Sequence, residues 1–93
     1  MFHVYILASE RNGTLYVGSS SQLIQRIWQH KKGVADGFTK KYHVQVLVYF
    51  EETSTADTMV ARERQLKKWK REWKIKLIEK MNHQWEDLYL TFI

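Results

Sequence analysis

The chain contains no cysteine and no proline, and it has no stretch approaching the ~20 apolar residues that a membrane span requires. Without thiols there can be neither a disulfide framework nor a thiolate metal site, and nothing demands an oxidising compartment, so the cytoplasm is the expected location. Residues 1–7 are apolar but lack a basic flank and run into Ser9-Glu10-Arg11-Asn12-Gly13, which reads as a turn rather than the cleavage site of a leader. Repeats and low-complexity tracts are missing. So are a Walker-type loop, a dinucleotide-binding glycine fingerprint, a zinc-spaced histidine pair and a Gly-x-Ser-x-Gly nucleophile turn. His3, His43 and His83 are too scattered for a metal site and read as structural.

What is present points to one small α/β domain. At 93 residues there is room for one modest core, because a protein this short buries roughly 60–65% of the surface its unfolded chain exposes. Four Trp, five Tyr and four Phe supply enough apolar area to fold without cross-links. Fifteen Lys and Arg stand against ten Asp and Glu, and nine of those cations lie between residues 62 and 80, opposed there only by Glu63, Glu72 and Glu79. Such a stretch is either a positive ridge that attracts polyphosphates through counterion release or a solvated helix face.

Phe2-His3-Val4-Tyr5-Ile6-Leu7 is β-branched and aromatic, and Asn12-Gly13 precedes Thr14-Leu15-Tyr16-Val17-Gly18, so the first eighteen residues read as a hairpin. Ser19-Ser20-Ser21 offers helix caps. Leu23, Ile24, Ile27 and Trp28 then repeat at helical spacing until Gly33, which predicts a helix over residues 21–32. Residues 33–42 read as a loop and residues 43–50 as a third strand, buried on both sides. After the caps Thr53-Ser54-Thr55, nothing breaks a helix from residue 56 to about 81. One rod of that length would measure about 39 Å, too long for a domain of radius ~12 Å, so a bend is expected near Lys70 and Arg71. The tail keeps Trp85, Leu88, Tyr89 and Leu90 and should pack down. The whole fits a small, mainly antiparallel three-stranded sheet flanked by helices.

Several polar residues fall where chemistry could use them. Glu63 lies on the stripe of Ala56, Met59, Val60 and Leu66; a carboxylate aimed at the sheet needs a cation or a metal, and the alternative is a pair with Lys67 one turn on. Arg26 and His30, four residues apart on the flank of the first helix, can reach one phosphate or simply dress the surface. Tyr5 and Tyr16 sit on the two hairpin arms, where aromatic pairs often only stabilise a sheet. Tyr16-Val17-Gly18 nevertheless leads straight into the helix of Arg26, and helix N-termini favour anions.

With these residues in place, the chain resembles the GIY-YIG nuclease superfamily. Val4-Tyr5-Ile6 and Tyr16-Val17-Gly18, with ten residues between the two tyrosines, are similar to its paired tripeptides. Arg26, His30 and Glu63 fall where that pattern has its helical Arg, a His in some branches, and its acidic metal ligand. The run 61–69 and the ending Leu77-Ile78-Glu79-Lys80-Met81-Asn82, then Trp85, Asp87, Leu88 and Tyr89, look like small stand-alone bacterial members related to the amino-terminal nuclease domain of the excision-repair subunit UvrC. Three positions depart. His3 replaces the first Gly, Ser19 stands where the repair branch has a Lys, and His83 follows Asn82 where relatives show Pro.

The resemblance implies one Mg²⁺ or Mn²⁺ held by Glu63, with water and a phosphate completing its shell. It implies Tyr16 as general base, Tyr5 as a partner ordering the attacking water, Arg26 as the cation stabilising phosphoryl charge, and His30 as a second candidate base or phosphate ligand. The expected function is a metal-dependent endonuclease acting on DNA, in repair or recombination. Lys40, Lys41, Arg62, Lys67, Lys68, Lys70 and Arg71 would track the phosphate backbone with little sequence specificity, and a protein partner could supply it. The alternatives are a nucleic-acid-binding module whose nuclease chemistry is vestigial or partner-dependent, and an adaptor using Trp69 and Trp73.

Overall fold

The computed structural model describes residues 1–35 and 37–93, folded within a radius of gyration of 12.1 Å. The elements are β1 (Phe2–Ala8), β2 (Leu15–Ser20), α1 (Leu23–Lys31), α2 (Gly37–Lys41), β3 (Val46–Thr53), α3 (Ala56–Lys68), α4 (Arg71–Met81) and a final 3-10 helix (Leu88–Thr91). Among the described residues they form one antiparallel sheet in the order β2-β1-β3.

The sheet is covered on both faces, and the central strand shows it. Val4 to Ala8 are all buried, and successive side chains of a strand point to opposite faces. Val4, Ile6 and Ala8 join Val17, Val48, Leu66, Ile78 and Trp85 on the side of α3 and α4. Tyr5 and Leu7 join Leu23, Ile27, Val44 and Leu47 on the side of α1. Each fully buried aliphatic side chain is worth about 1.5–3 kcal/mol, so β1 is the mechanical centre of the domain. A bulge between Ile6 and Leu7 leaves Val48 as an extra residue on β3.

The hairpin forms as expected, closed by Ser9 N donating to Thr14 O at 3.0 Å, with Asn12 taking a left-handed φ of 59°. The first helix is shorter than residues 21–32. Its N-cap is Gln22, not one of the serines, and no side chain caps it. Gly33 ends it with a φ of 73°, the conformation glycine tolerates best. The buried stripe of α1 is Leu23, Ile27 and His30, whereas Ile24 and Trp28 are exposed. The apolar pair was expected inside, but a histidine with two buried hydrogen-bond partners takes its place.

Two further expectations need correction. Residues 33–42 are not all loop: α2 occupies five of them, while residue 36 lies outside the described residues. His43 then closes α2 with a φ of 55°, and Val44 N donates to Thr39 O at 2.9 Å. That turn delays β3 to Val46–Thr53 instead of residues 43–50, and pairing of Phe2 with Thr53 extends its far end.

The long helical stretch breaks where length required it. Trp69 and Lys70 both adopt extended backbone, with ψ of 147° and 148°. Trp69 packs against the core and meets Trp73 edge-on at 6.0 Å, with the Arg62 guanidinium 5.1 Å over its ring. Arg71 donates to the carbonyls of Asn12 and Gly13 at 2.7 and 2.6 Å, tying α4 to the hairpin tip.

The tail packs down through Asn82. Its amide donates to Val48 O at 3.1 Å and Glu86 O at 2.8 Å, and its carbonyl accepts from Glu86 N at 3.0 Å. These bonds hold Trp85 at a φ of 58°, costly for a bulky residue unless its surroundings fix it. Asp87 accepts from Lys31 at 2.5 Å and from Leu47 N at 3.2 Å, which seats the 3-10 helix on the α1 side.

Candidate active site

β2 is an edge strand, and its residues gather the polar groups. On the α1 face, Tyr5 reaches across to Gly18, its register partner. A Cβ at Gly18 would lie 2.5 Å from Tyr5 Oη and 2.6 Å from its Cζ, so glycine is needed here for clearance and not for backbone conformation. The Tyr5 hydroxyl is 2.8 Å from His30 Nε2, and His30 Nδ1 is 3.0 Å from Thr39 Oγ1. Tyr5, His30 and Thr39 are 1%, 0% and 0% exposed, so this is an interior chain of polar groups. Tyr16, partly buried, packs edge-on against His30 with ring centroids 5.4 Å apart and stacks on Phe38 at 6.0 Å.

On the α3 face, Ser19 Oγ donates to Glu63 Oε1, and Lys67 Nζ lies 2.8 Å from Glu63 Oε2. The pair with Lys67 one turn on is therefore formed, and Ser19 holds the other carboxylate oxygen. The carboxylate is turned to the sheet edge, its side chain 22% exposed, and it also pairs with Lys67. Burial pushes its pKa up, but hydrogen bonds from Lys67 and Ser19 and the charges of Lys67 and Arg64 outweigh burial and leave it below the usual carboxylate value. Among the described residues no three His, Cys, Asp or Glu cluster, and Glu63 is the carboxylate held against β2. An ionised, partly open carboxylate beside a hydroxyl fits Mg²⁺ or Mn²⁺, which keep several waters and take substrate oxygens. Lys67 would have to swing away, which a half-exposed lysine can do.

Arg26 lies on the outward flank of α1, where its Nη1 donates to Gln29 Oε1 at 3.2 Å. It lines a polar cleft with Ser20, Ser21, Gln25 and Gln29. All five sequence-predicted groups thus meet residues 16–21. Tyr16 is among them, Tyr5 and behind it His30 sit over Gly18, Glu63 is held by Ser19, and Arg26 stands beside Ser20 and Ser21. Among the described residues β2 pairs with no strand on its outer side, and Glu63 reaches it from the face opposite Tyr5 and His30.

The basic residues are less uniform than their number suggests. Lys40 and Lys41 end α2, with Lys41 Nζ 5.4 Å over the ring of Tyr42. Arg62 is committed to Glu51 at 2.9 Å, Lys67 to Glu63, and Arg71 to the hairpin carbonyls. Lys68 is exposed at the end of α3, and Lys70 lies 5.7 Å over Trp73. Two site neighbours escaped the sequence reading. Ser19 stood out in the sequence as a helix-cap candidate and a departure, although its hydroxyl instead donates to Glu63. Thr39 was hidden in a stretch read as loop.

Comparison with known proteins adds to this geometry. A family profile described as the GIY-YIG catalytic domain matches residues 1–76. A UPF0213 protein of Pediococcus pentosaceus is 35% identical over 79 residues, covering 85% of this chain and 82% of the relative. UPF0213 proteins of Staphylococcus haemolyticus and Staphylococcus saprophyticus are 35% and 33% identical, covering 83% and 82% of this chain and 93% and 92% of their own lengths. No solved structure matches at a significant level. Among the described residues no helix is long and apolar enough to cross a membrane.

Proposed function

The chain belongs to the GIY-YIG family, and from that premise we propose that it is a metal-dependent endonuclease hydrolysing DNA phosphodiester bonds. The observation that carries the proposal is the meeting of Tyr5, Tyr16, Arg26, His30 and Glu63 at residues 16–21 of one sheet edge.

In this reading Glu63 holds one Mg²⁺ or Mn²⁺, which when bound supplies Lewis acidity at the phosphoryl oxygens. Tyr16 is the phenol open enough to meet substrate, and it takes the proton of the attacking water. That role requires positive charge beside the phenol to favour its deprotonated form. Tyr5, backed by His30, orders the same water from beneath. Arg26 neutralises charge building on the phosphoryl group, with planar N–H donors that match its oxygens. Lys40, Lys41, Lys68 and Lys70 are available to track the DNA backbone. Arg62, Lys67 and Arg71 join them only if they leave their protein partners. Phosphate contacts position a duplex without reading it, so a protein partner supplies any specificity. The setting we assign is cytoplasmic DNA repair or recombination.

The second reading, a nucleic-acid-binding module with vestigial or partner-dependent chemistry, draws on Lys67 already occupying Glu63. A plasmid-nicking assay with Mg²⁺ and Mn²⁺ separates the two. The nuclease reading expects nicking by the wild type and its loss in Glu63→Ala. Equal traces for the two proteins reject catalysis, and salt-sensitive DNA binding that survives the substitution without cleavage under either metal selects the module.

A further inference from the structure

We infer that Lys67 couples the arrival of a DNA phosphate to metal binding at Glu63, by moving its ammonium from the carboxylate to the phosphate and so freeing one carboxylate oxygen. The inference rests on the nuclease reading and deepens it, since it says how the same site is switched on. The two oxygens of Glu63 are held differently. Oε1 accepts from Ser19, a short side chain on β2 whose backbone stands in register with Val4. Oε2 meets Lys67 Nζ at 2.8 Å, one turn further along the same helix. The sheet fixes the first partner but not the second. The side chain of Lys67 is 52% exposed and that of Glu63 22%, and a lysine carries its charge on a long, flexible stem. Exposed ion pairs between residues four apart on a helix are weak, so this contact yields to a stronger counter-charge.

Charge then links the two ligands. In the free protein the ammonium neutralises Glu63 and stands at the oxygen that a divalent ion needs. An ion beside that carboxylate would be repelled by Lys67, and also by Arg64, whose charge acts on Glu63 as well. A phosphate oxygen brought next to Glu63 offers the ammonium another anion. Arg64, Lys67 and Lys68 are all exposed on α3, so cations meet a DNA backbone that lies against this part of the helix. Once Lys67 has turned to the phosphate, the lone pairs of Oε2 are open to an ion. Ser19 can still hold Oε1, because an ionised carboxylate has acceptor sites for several partners. Each ligand favours the other, as linkage requires, and Glu63 opens to an ion together with substrate rather than ahead of it.

The test follows Mn²⁺ through the paramagnetic broadening of amide resonances next to Glu63 and Ser19, at free Mn²⁺ concentrations read from its EPR signal. It is run on the full chain with and without a short phosphorothioate-linked DNA duplex, which resists scission. In the wild type the duplex should tighten Mn²⁺ binding by about tenfold or more. Lys67→Met, which keeps the stem and removes the charge, should bind Mn²⁺ severalfold more tightly than the wild type without DNA and no more tightly with it. The enhancement by DNA should therefore shrink at least about fivefold. A second measurement needs no variant: with Mg²⁺ and the duplex both present, the NOE between Lys67 Hε and Glu63 Hγ should disappear from the wild type. An enhancement of equal size in the two proteins, or an NOE that persists, overturns the exchange and leaves the nuclease reading intact. A duplex that does not bind, or Mn²⁺ that reaches Glu63 in neither condition, removes the nuclease reading and the exchange with it.

Discussion

Two glycine-to-alanine substitutions should move stability in opposite directions, because space and not backbone conformation decides each. At Gly18 the new Cβ would sit 2.5 Å from Tyr5 Oη and 2.6 Å from Cζ, closer than real Cβ contacts allow. Tyr5 is 1% exposed and has nowhere to retreat. Overpacking of this kind costs about 1–3 kcal/mol, and displacing the phenol from His30 leaves buried polar groups unsatisfied for about 1–3 kcal/mol more. Restricting the unfolded chain returns only about 0.4–1 kcal/mol. The net loss is about 2–4 kcal/mol. At 4–8 °C per kcal/mol for a domain of this size, the melting temperature of Gly18→Ala should fall by roughly 10–30 °C. At Gly37 nothing lies within 4 Å of the added carbon. There Ala should stabilise α2 by up to about 1 kcal/mol and raise the melting temperature by a few degrees. Calorimetry or thermal circular dichroism of the three proteins decides. A Gly18→Ala protein melting within about 2 °C of wild type, or a Gly37→Ala protein losing as much as Gly18→Ala, refutes the packing argument.

Other expectations follow from particular contacts. Lys67→Ala removes the cation lying on Glu63 and should tighten Mn²⁺ binding severalfold, seen as paramagnetic broadening near Glu63 at lower metal concentration; unchanged or weaker binding would mean that Lys67 does not compete. Asn82→Ala strips partners from Val48 O, Glu86 O and Glu86 N and should cost about 2–4 kcal/mol in urea denaturation, with a loss under 1 kcal/mol counting against the tail as a structural lock. Tyr49 has its pKa pushed up to about 12 by burial, then by the hydrogen bond and charge of Glu51, with Arg62 pulling the other way. The fold prefers the neutral phenol, so Tyr49 contributes stability that is intact below pH 10.0 and lost as pH rises toward 12. Tyr49→Phe should flatten the wild-type decline in urea midpoint over that window, and parallel curves would show that Tyr49 is not the group responsible.

Much of the architecture was legible because its signals were physical and local. β-Branched and aromatic residues with turn chemistry marked β1 and β2, Gly33 marked the end of α1, and sheer length demanded the break that falls at Trp69 and Lys70. The misreadings have one origin, tertiary contacts overriding local pattern. His30 displaced Ile24 and Trp28 from the buried stripe because Tyr5 and Thr39 offered it partners. His43 adopted a left-handed turn that no propensity favours strongly, and this moved the start of β3. The proposed site residues were found through the resemblance, and β-register accounts for Tyr5 lying opposite Gly18. The partners that orient them were not found, since a serine and a threonine carry no motif. The commitments of Arg62 and Arg71 were equally invisible, because charge counts do not say which cations already have a counterpart.

The open flank of β2 carries a constraint of its own. Unpaired strand borders invite another chain to add to them, and under the proposed nuclease function an added strand would cover the border at which Glu63 and Tyr16 are to meet a phosphate ester. If that proposal holds, any assembly this protein forms must leave the border bare or trade catalysis for association. A short peptide that zips onto residues 15–20 would act as a competitive inhibitor without touching a single side chain of the site.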